Sequence, residues 1–74
     1  MPTRKNLFFT VATVAKVSDH TTPDDNDRVF ATRKLQGRMF AETVELSDNR
    51  EFADIFFLDG SIAWDVPARN FMAA

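Results

Sequence analysis

The 74-residue chain has no cysteine, one histidine, two glycines and three prolines, and no apolar run approaches the roughly 18 residues a helical membrane span requires. Each shortage excludes something. Without cysteine there is no disulfide framework, no thiolate metal site and no thiol nucleophile, and a reducing compartment is expected. Gly37 and Gly60 alone cannot build a glycine-rich phosphate loop. The opening residues, with two basic side chains and only the short, weakly apolar Leu7 to Ala12 behind them, lack the pattern of a secretory leader. The expected localisation is cytoplasmic.

What remains is one small domain over residues 1–74, with 45% hydrophobic and 27% charged side chains. A chain of this size buries only about 60% of the surface its unfolded form exposes, so its stability is marginal unless a partner or a second copy supports it. The net charge of -2 is laid down in blocks: +3 over residues 1–18, -4 over 19–27, +4 over 28–38, -6 over 39–66 and +1 over 67–74. Such blocks can give a domain one acidic and one basic face that steer a partner. On an antiparallel sheet, however, blocks from different strands can interleave and cancel, so an ordinary solvated surface is the expected outcome. Among Arg28, Arg33, Lys34 and Arg38 only Phe30 is interleaved, too little for a stacking platform, and direct nucleic-acid binding is not expected.

Periodicity points to strands. Residues 7–17 are rich in β-branched and aromatic types, with Phe9, Val11, Ala15 and Val17 on one face. Residues 1–6 read as a flexible tail, and 18–27, SDHTTPDDND, as an exposed acidic loop. Residues 28–35 set Val29, Ala31 and Leu35 against Arg28, Phe30, Thr32 and Lys34. After a bulge or bend at Gly37, residues 38–46 alternate through Phe40, Val44 and Leu46. Asp48 and Glu51 have capping-box spacing, which allows at most one helical turn. Pro67 ends the last strand, and residues 68–74 are expected to form a short helix that folds Phe71 and Met72 back on the sheet. The fold class is therefore mainly β, with α+β the alternative: a small antiparallel meander of four to five strands with a short helical turn or C-terminal helix.

The sharpest local signal is Asp59-Gly60 between two apolar segments, which suits a two-residue type I′ hairpin. That loop would set Phe57 opposite Ile62, Phe56 opposite Ala63, Ile55 opposite Trp64, Asp54 opposite Asp65 and Ala53 opposite Val66. Ala53, Ile55, Phe57, Ile62, Trp64 and Val66 then share the core face. The other face carries Phe56, Leu58, Ser61 and Ala63 beside Asp54 and Asp65. Phe56 and Leu58 need cover there, from the chain's own loops or tail or from another molecule.

Chemistry is otherwise sparse. His20 lies near Asp19, Asp24, Asp25 and Asp27, but the spacing fails the calcium-loop pattern, since Leu35 stands twelfth from Asp24, and one histidine is a poor zinc frame. No metal or other cofactor is expected. Ser18, Ser47 and Ser61 lie in no nucleophile motif. Asp54 and Asp65 are the only carboxylates that pairing brings together, and without a pocket or polarising group they are more readily solvated, salt-bridged or partner-binding than catalytic. No catalytic residue is assigned. Asp54, Phe56, Leu58 and Asp65 are the candidate partner-binding residues. The expected function is a non-enzymatic protein-protein interaction or regulatory module binding another, basic protein or a second copy. The alternatives are a phage-type inhibitor masking a basic nucleic-acid-binding surface, and a small ligand binder or enzyme using Asp54 and Asp65.

The order Leu35-Gln36-Gly37-Arg38-Met39-Phe40, Leu46-Ser47-Asp48, Phe52-Ala53 and Asp59-Gly60-Ser61-Ile62-Ala63-Trp64-Asp65-Val66 resembles a small bacterial family catalogued as domain of unknown function 2442. The likeness covers residues 35–66, and the family's usual proline, asparagine and glycine after the tryptophan are missing here. It implies a small α+β domain with a non-enzymatic role and transfers no site residue; the setting expected for the module is a bacterial or phage system.

Overall fold

The computed structural model describes residues 5–18 and 30–73, which form five antiparallel strands: β1 (Lys5–Ser18), β2 (Phe30–Leu46), β3 (Phe52–Phe57), β4 (Ile62–Pro67) and β5 (Phe71–Ala73). The fold is mainly β, as alternation predicts, and the described residues hold no α-helix. The expected acidic loop beyond Ser18, the tail before Lys5, and Val29 lie outside the described residues. Lys5 and Asn6, expected in the tail, already belong to β1, opposite Ala41 and Phe40.

The meander closes on itself. β2, β3 and β4 pair in chain order, and β1 lies between β4 and β2, so four strands form a barrel. Closure gives β1, β3 and β4 a partner on each side, which limits the free edge that is the usual hazard of a small sheet. β1 is long enough to serve two neighbours along one edge: Lys16–Ser18 pair with Trp64–Ile62, and Leu7–Phe9 with Ala73–Phe71. Between them residues 10–12 bulge against Gln36 alone. Val11, expected inward, is thereby 52% exposed.

The C-terminal segment is not a helix. One 3-10 turn, Ala68–Asn70, turns the chain into β5, and Asn70 anchors it to the bulge. Thr10 Oγ1 donates to the Asn70 carbonyl at 3.0 Å, and Asn70 Nδ2 donates to Thr13 Oγ1 at 3.1 Å. Phe71 folds back as expected and packs on Phe9, ring centroids 5.5 Å apart.

Leu7, Phe9, Ala15, Val17, Leu35, Ala41, Ile55, Phe57, Ala63 and Val66 fill the interior. In β2 a one-residue register shift between Ala41 and Thr43 places Val44 against the core while Phe40 stays outside and Leu46 is exposed. The shared face expected for Phe40, Val44 and Leu46 is broken there. Gly37, at φ +67, sits opposite Phe9 within one continuous strand. The turn after β2 is fastened by Ser47 and Asn49, not by a capping box: Asn49 Oδ1 accepts from Ser47 Oγ at 2.7 Å and from the Glu51 amide at 3.1 Å.

Candidate functional site

The hairpin of β3 and β4 carries the candidate residues, and its register departs from the expected one. The loop has three residues, Leu58, Asp59 and Gly60: the Gly60 amide donates to the Phe57 carbonyl at 3.1 Å, and the Phe57 amide donates to the Ser61 carbonyl at 2.8 Å. Gly60 alone in this loop takes a positive φ, +93, so a type I turn followed by a left-handed residue replaces type I′. The Asp59 side chain stabilises it, accepting at Oδ1 from the Ser61 amide at 2.9 Å and from Ser61 Oγ at 2.6 Å. These bonds, with a smaller contribution from the Arg33 charge, hold the Asp59 carboxyl below its ordinary value.

The longer loop shifts the pairing by one residue. Ile55 now faces Ala63 and Phe56 faces Ile62. A one-residue slip reverses sidedness along a strand. Ala63 and Ser61, expected outside, are buried, and Ala63 belongs to the core cluster. Ile62, expected inside, is buried, although its pairing with Phe56 sets it on the opposite side of β4 from Ala63; Trp64, also expected inside, is only half-buried. A bulge then restores the expected pair Ala53 and Val66 by setting Trp64 and Asp65 against Asp54. Asp65 takes φ +52, a left-handed conformation for which aspartate is among the tolerant residues. Its amide, left out of the ladder, donates to Asp54 Oδ1 at 3.0 Å. The expected meeting of the two aspartates is thus real, but the contact is amide to carboxylate, and it gives Asp54 a structural task.

Two neighbouring rows of paired residues cross the barrel wall, the first with buried Ile62 and Ser18 at its centre. The first runs Thr43, Phe56, Ile62, Ser18, Phe30, each opposite the next. The second runs Glu45, Asp54, the Trp64–Asp65 bulge, Lys16 and Thr32. Trp64 Nε1 donates to Ser18 Oγ at 3.1 Å, which fixes the half-buried indole across the seam between β4 and β1. Glu45, Asp54 and Asp65 line one shallow hollow of about 120 Å³, and Glu42, Thr43, Glu45 and Phe56 line another beside it. Half-buried Phe56 thus shares a hollow with Glu42 and Glu45, and Asp54 and Asp65 line the adjoining one. Leu58 parts from this group: it lies in the turn and lines a separate hollow with Arg33, Met39 and Phe40.

Trp64 is the site residue that alternation missed. Nothing in the residue types distinguishes a two-residue from a three-residue reversal around Asp59-Gly60, and that one residue decides which way the indole points. Among the described residues no group of three His, Cys, Asp or Glu side chains is arranged to hold a metal ion, and no helix is long and apolar enough to cross a membrane. His20 lies outside the described residues. No family model, curated protein or solved structure matches the chain.

Proposed function

We propose that this domain is a non-enzymatic binding module whose outer β3–β4 face takes a basic protein. The observation that carries this reading is the placement of Phe56 and Trp64 beside Glu42, Glu45, Asp54 and Asp65. Partly exposed aromatic anchors rimmed by charge of one sign are what a transient interface uses: the rings supply most of the energy and the acids select the partner. The C-terminal segment does not reach this face, because β5 is paired with Leu7–Phe9. A phage-type inhibitor covering a basic nucleic-acid groove would present the same carboxylate row, and salt separates the two readings. A contact dominated by the acids weakens steeply between about 50 and 500 mM salt, whereas one dominated by the rings persists.

The test is capture from the source cell with the wild type, Phe56→Ser and the triple variant Glu45→Gln, Asp54→Asn, Asp65→Asn. A basic protein retained by the wild type and lost from both variants supports the module. Equal retention by all three sinks it. Circular dichroism establishes that each variant is folded, and Trp64→Ala replaces Phe56→Ser should the latter unfold. Light scattering at rising concentration identifies a second copy as the partner.

A further inference from the structure

The opposite charge is gathered elsewhere. Residues 5–18 and 30–41 contain Lys5, Lys16, Arg33, Lys34 and Arg38 and no carboxylate, whereas residues 42–73 hold seven carboxylates and two arginines. Among the described residues the blocks do not cancel: cations occupy β1 and most of β2, and acids occupy the end of β2 together with β3, β4 and their turns. The β1–β2 ribbon is also regular in its sidedness. Leu7, Phe9, Thr13, Ala15 and Val17 on β1 and Leu35 and Ala41 on β2 are buried, all at odd positions, and apart from Ser18, which is also buried, the even positions are exposed. Lys16, Lys34 and Arg38 share that outer face with Phe8 and Phe40, 44% and 43% exposed. Phe8 is opposite Arg38, and Asn6 is opposite Phe40, so the two rings are diagonal neighbours about 7–8 Å apart at Cα. Phe30, at the far end, lies under Lys16 Nζ, 5.0 Å from its ring centroid.

We infer that the outer face of the β1–β2 ribbon binds single-stranded nucleic acid, with Lys16, Lys34 and Arg38 on phosphates and Phe8 and Phe40 under two successive bases. The occupant follows from charge complementarity together with the rings. Three cations on a ribbon whose described residues include no carboxylate attract a polyanion, with Lys16 at the border of the acidic row and Lys34 and Arg38 away from it, and paired exposed rings beside cations suit a polyanion that also carries flat aromatic groups. Counted along the chain, Phe30 is the only ring among the cations; pairing with β1 brings Phe8 beside Arg38, and β2 itself carries Phe40 one step beyond. Recognition through phosphates and base faces is indifferent to the sugar, so DNA and RNA strands bind alike.

The test is fluorescence anisotropy with labelled oligothymidine and oligouridine of about 15 nucleotides, long enough to cover a site of this kind. Three phosphate contacts on a single strand give a logarithmic salt slope of about -2, hence about 20-fold weaker binding at 200 than at 50 mM salt. Lys34→Glu with Arg38→Glu abolishes binding. Phe8→Ala and Phe40→Ala each weaken it at least about 5-fold at an unchanged salt slope, as lost stacking requires. These side chains are exposed, and circular dichroism checks that the fold persists. Phe56→Ser and the triple acid variant leave oligonucleotide binding unchanged, which keeps this inference separable from the proposed module. The inference is overturned if the wild type fails to bind at 50 mM salt, if the ring variants bind as well as wild type, or if polyglutamate displaces the strand at equal charge concentration. Self-association removed by the charge reversal, without oligonucleotide binding, would assign the face to the acidic surface of a second copy.

Discussion

The β1–β2 ribbon and the β3–β4 hairpin are both antiparallel pairs interrupted once, yet the interruption has opposite consequences. In the ribbon, three residues of β1 stand against one of β2, a net insertion of two, and side chains beyond the bulge keep the faces they had before it. In the hairpin, two residues of β4 stand against Asp54, a net insertion of one, and sidedness reverses between the turn and Val66. A pleated strand has a period of two, so only odd insertions exchange inside and outside. The ribbon therefore presents an orderly basic face, and the hairpin presents a tryptophan that simple alternation would bury.

The largest effect that can break this comparison is at Ala63. In a two-residue loop Ala63 would lie opposite Phe56 on the outside and tolerate a charge; in the observed register it is fully buried opposite Ile55. Ala63→Glu is expected to cost more than about 3 kcal/mol, enough to unfold much of a small domain, because a carboxylate would enter the barrel without a partner. Urea denaturation measures it, and a variant as stable as the wild type would restore the shorter loop.

Much of the fold was legible because alternation over β1 and β2 is carried by residue types that commit to one side. Phe9, Ala15, Val17 and Leu35 are buried as their spacing predicts. Legibility fails at bulges. Val11 is apolar and in phase, yet residues 10–12 leave the ladder where Thr10 and Thr13 bind Asn70, a contact 57 to 60 residues away in sequence. Barrel closure is illegible for a related reason: the pairing of Lys16–Ser18 with Ile62–Trp64 depends on the accumulated twist and bends of four strands, and no short stretch encodes it. Of the candidate residues, Asp54, Phe56 and Asp65 are brought together, since neighbours in a hairpin stay neighbours through a one-residue shift. Leu58 is not, because the third loop residue removes it from the strand.

The next effect sharpens the account of the turn. Gly60 holds φ +93, and a Cβ added there would meet no atom within 4 Å, so Gly60→Ala carries a backbone penalty alone, about 1–2 kcal/mol. A thermal melt reads it. An unchanged melt would mean that the left-handed residue is not required there.

A smaller effect, about 1 kcal/mol, is expected at the bulge. Asp54→Ala removes the acceptor of the Asp65 amide, whereas Asp54→Asn keeps an oxygen in place. Alanine should therefore destabilise and asparagine largely should not. Equal loss in both would show that the charge, not the hydrogen bond, holds the bulge.

The smallest effect concerns pH and the other end of the hairpin. Bonding from Ser61 first, and the Arg33 charge after it, lowers the Asp59 carboxyl below its ordinary 3.8. Between that lowered value and 3.8 the unfolded chain binds a proton that the folded chain does not. The contribution to stability is therefore complete above 3.8 and is lost as pH falls through the folded value. Asp59 is exposed, so solvent screening keeps the contribution small. Asp59→Asn retains an acceptor for Ser61 but has no proton to exchange. Unfolding free energies measured from pH 5 downward should consequently fall less steeply for this variant than for the wild type. Parallel curves would mean that the turn is held by its backbone bonds and by Gly60 without help from the carboxylate.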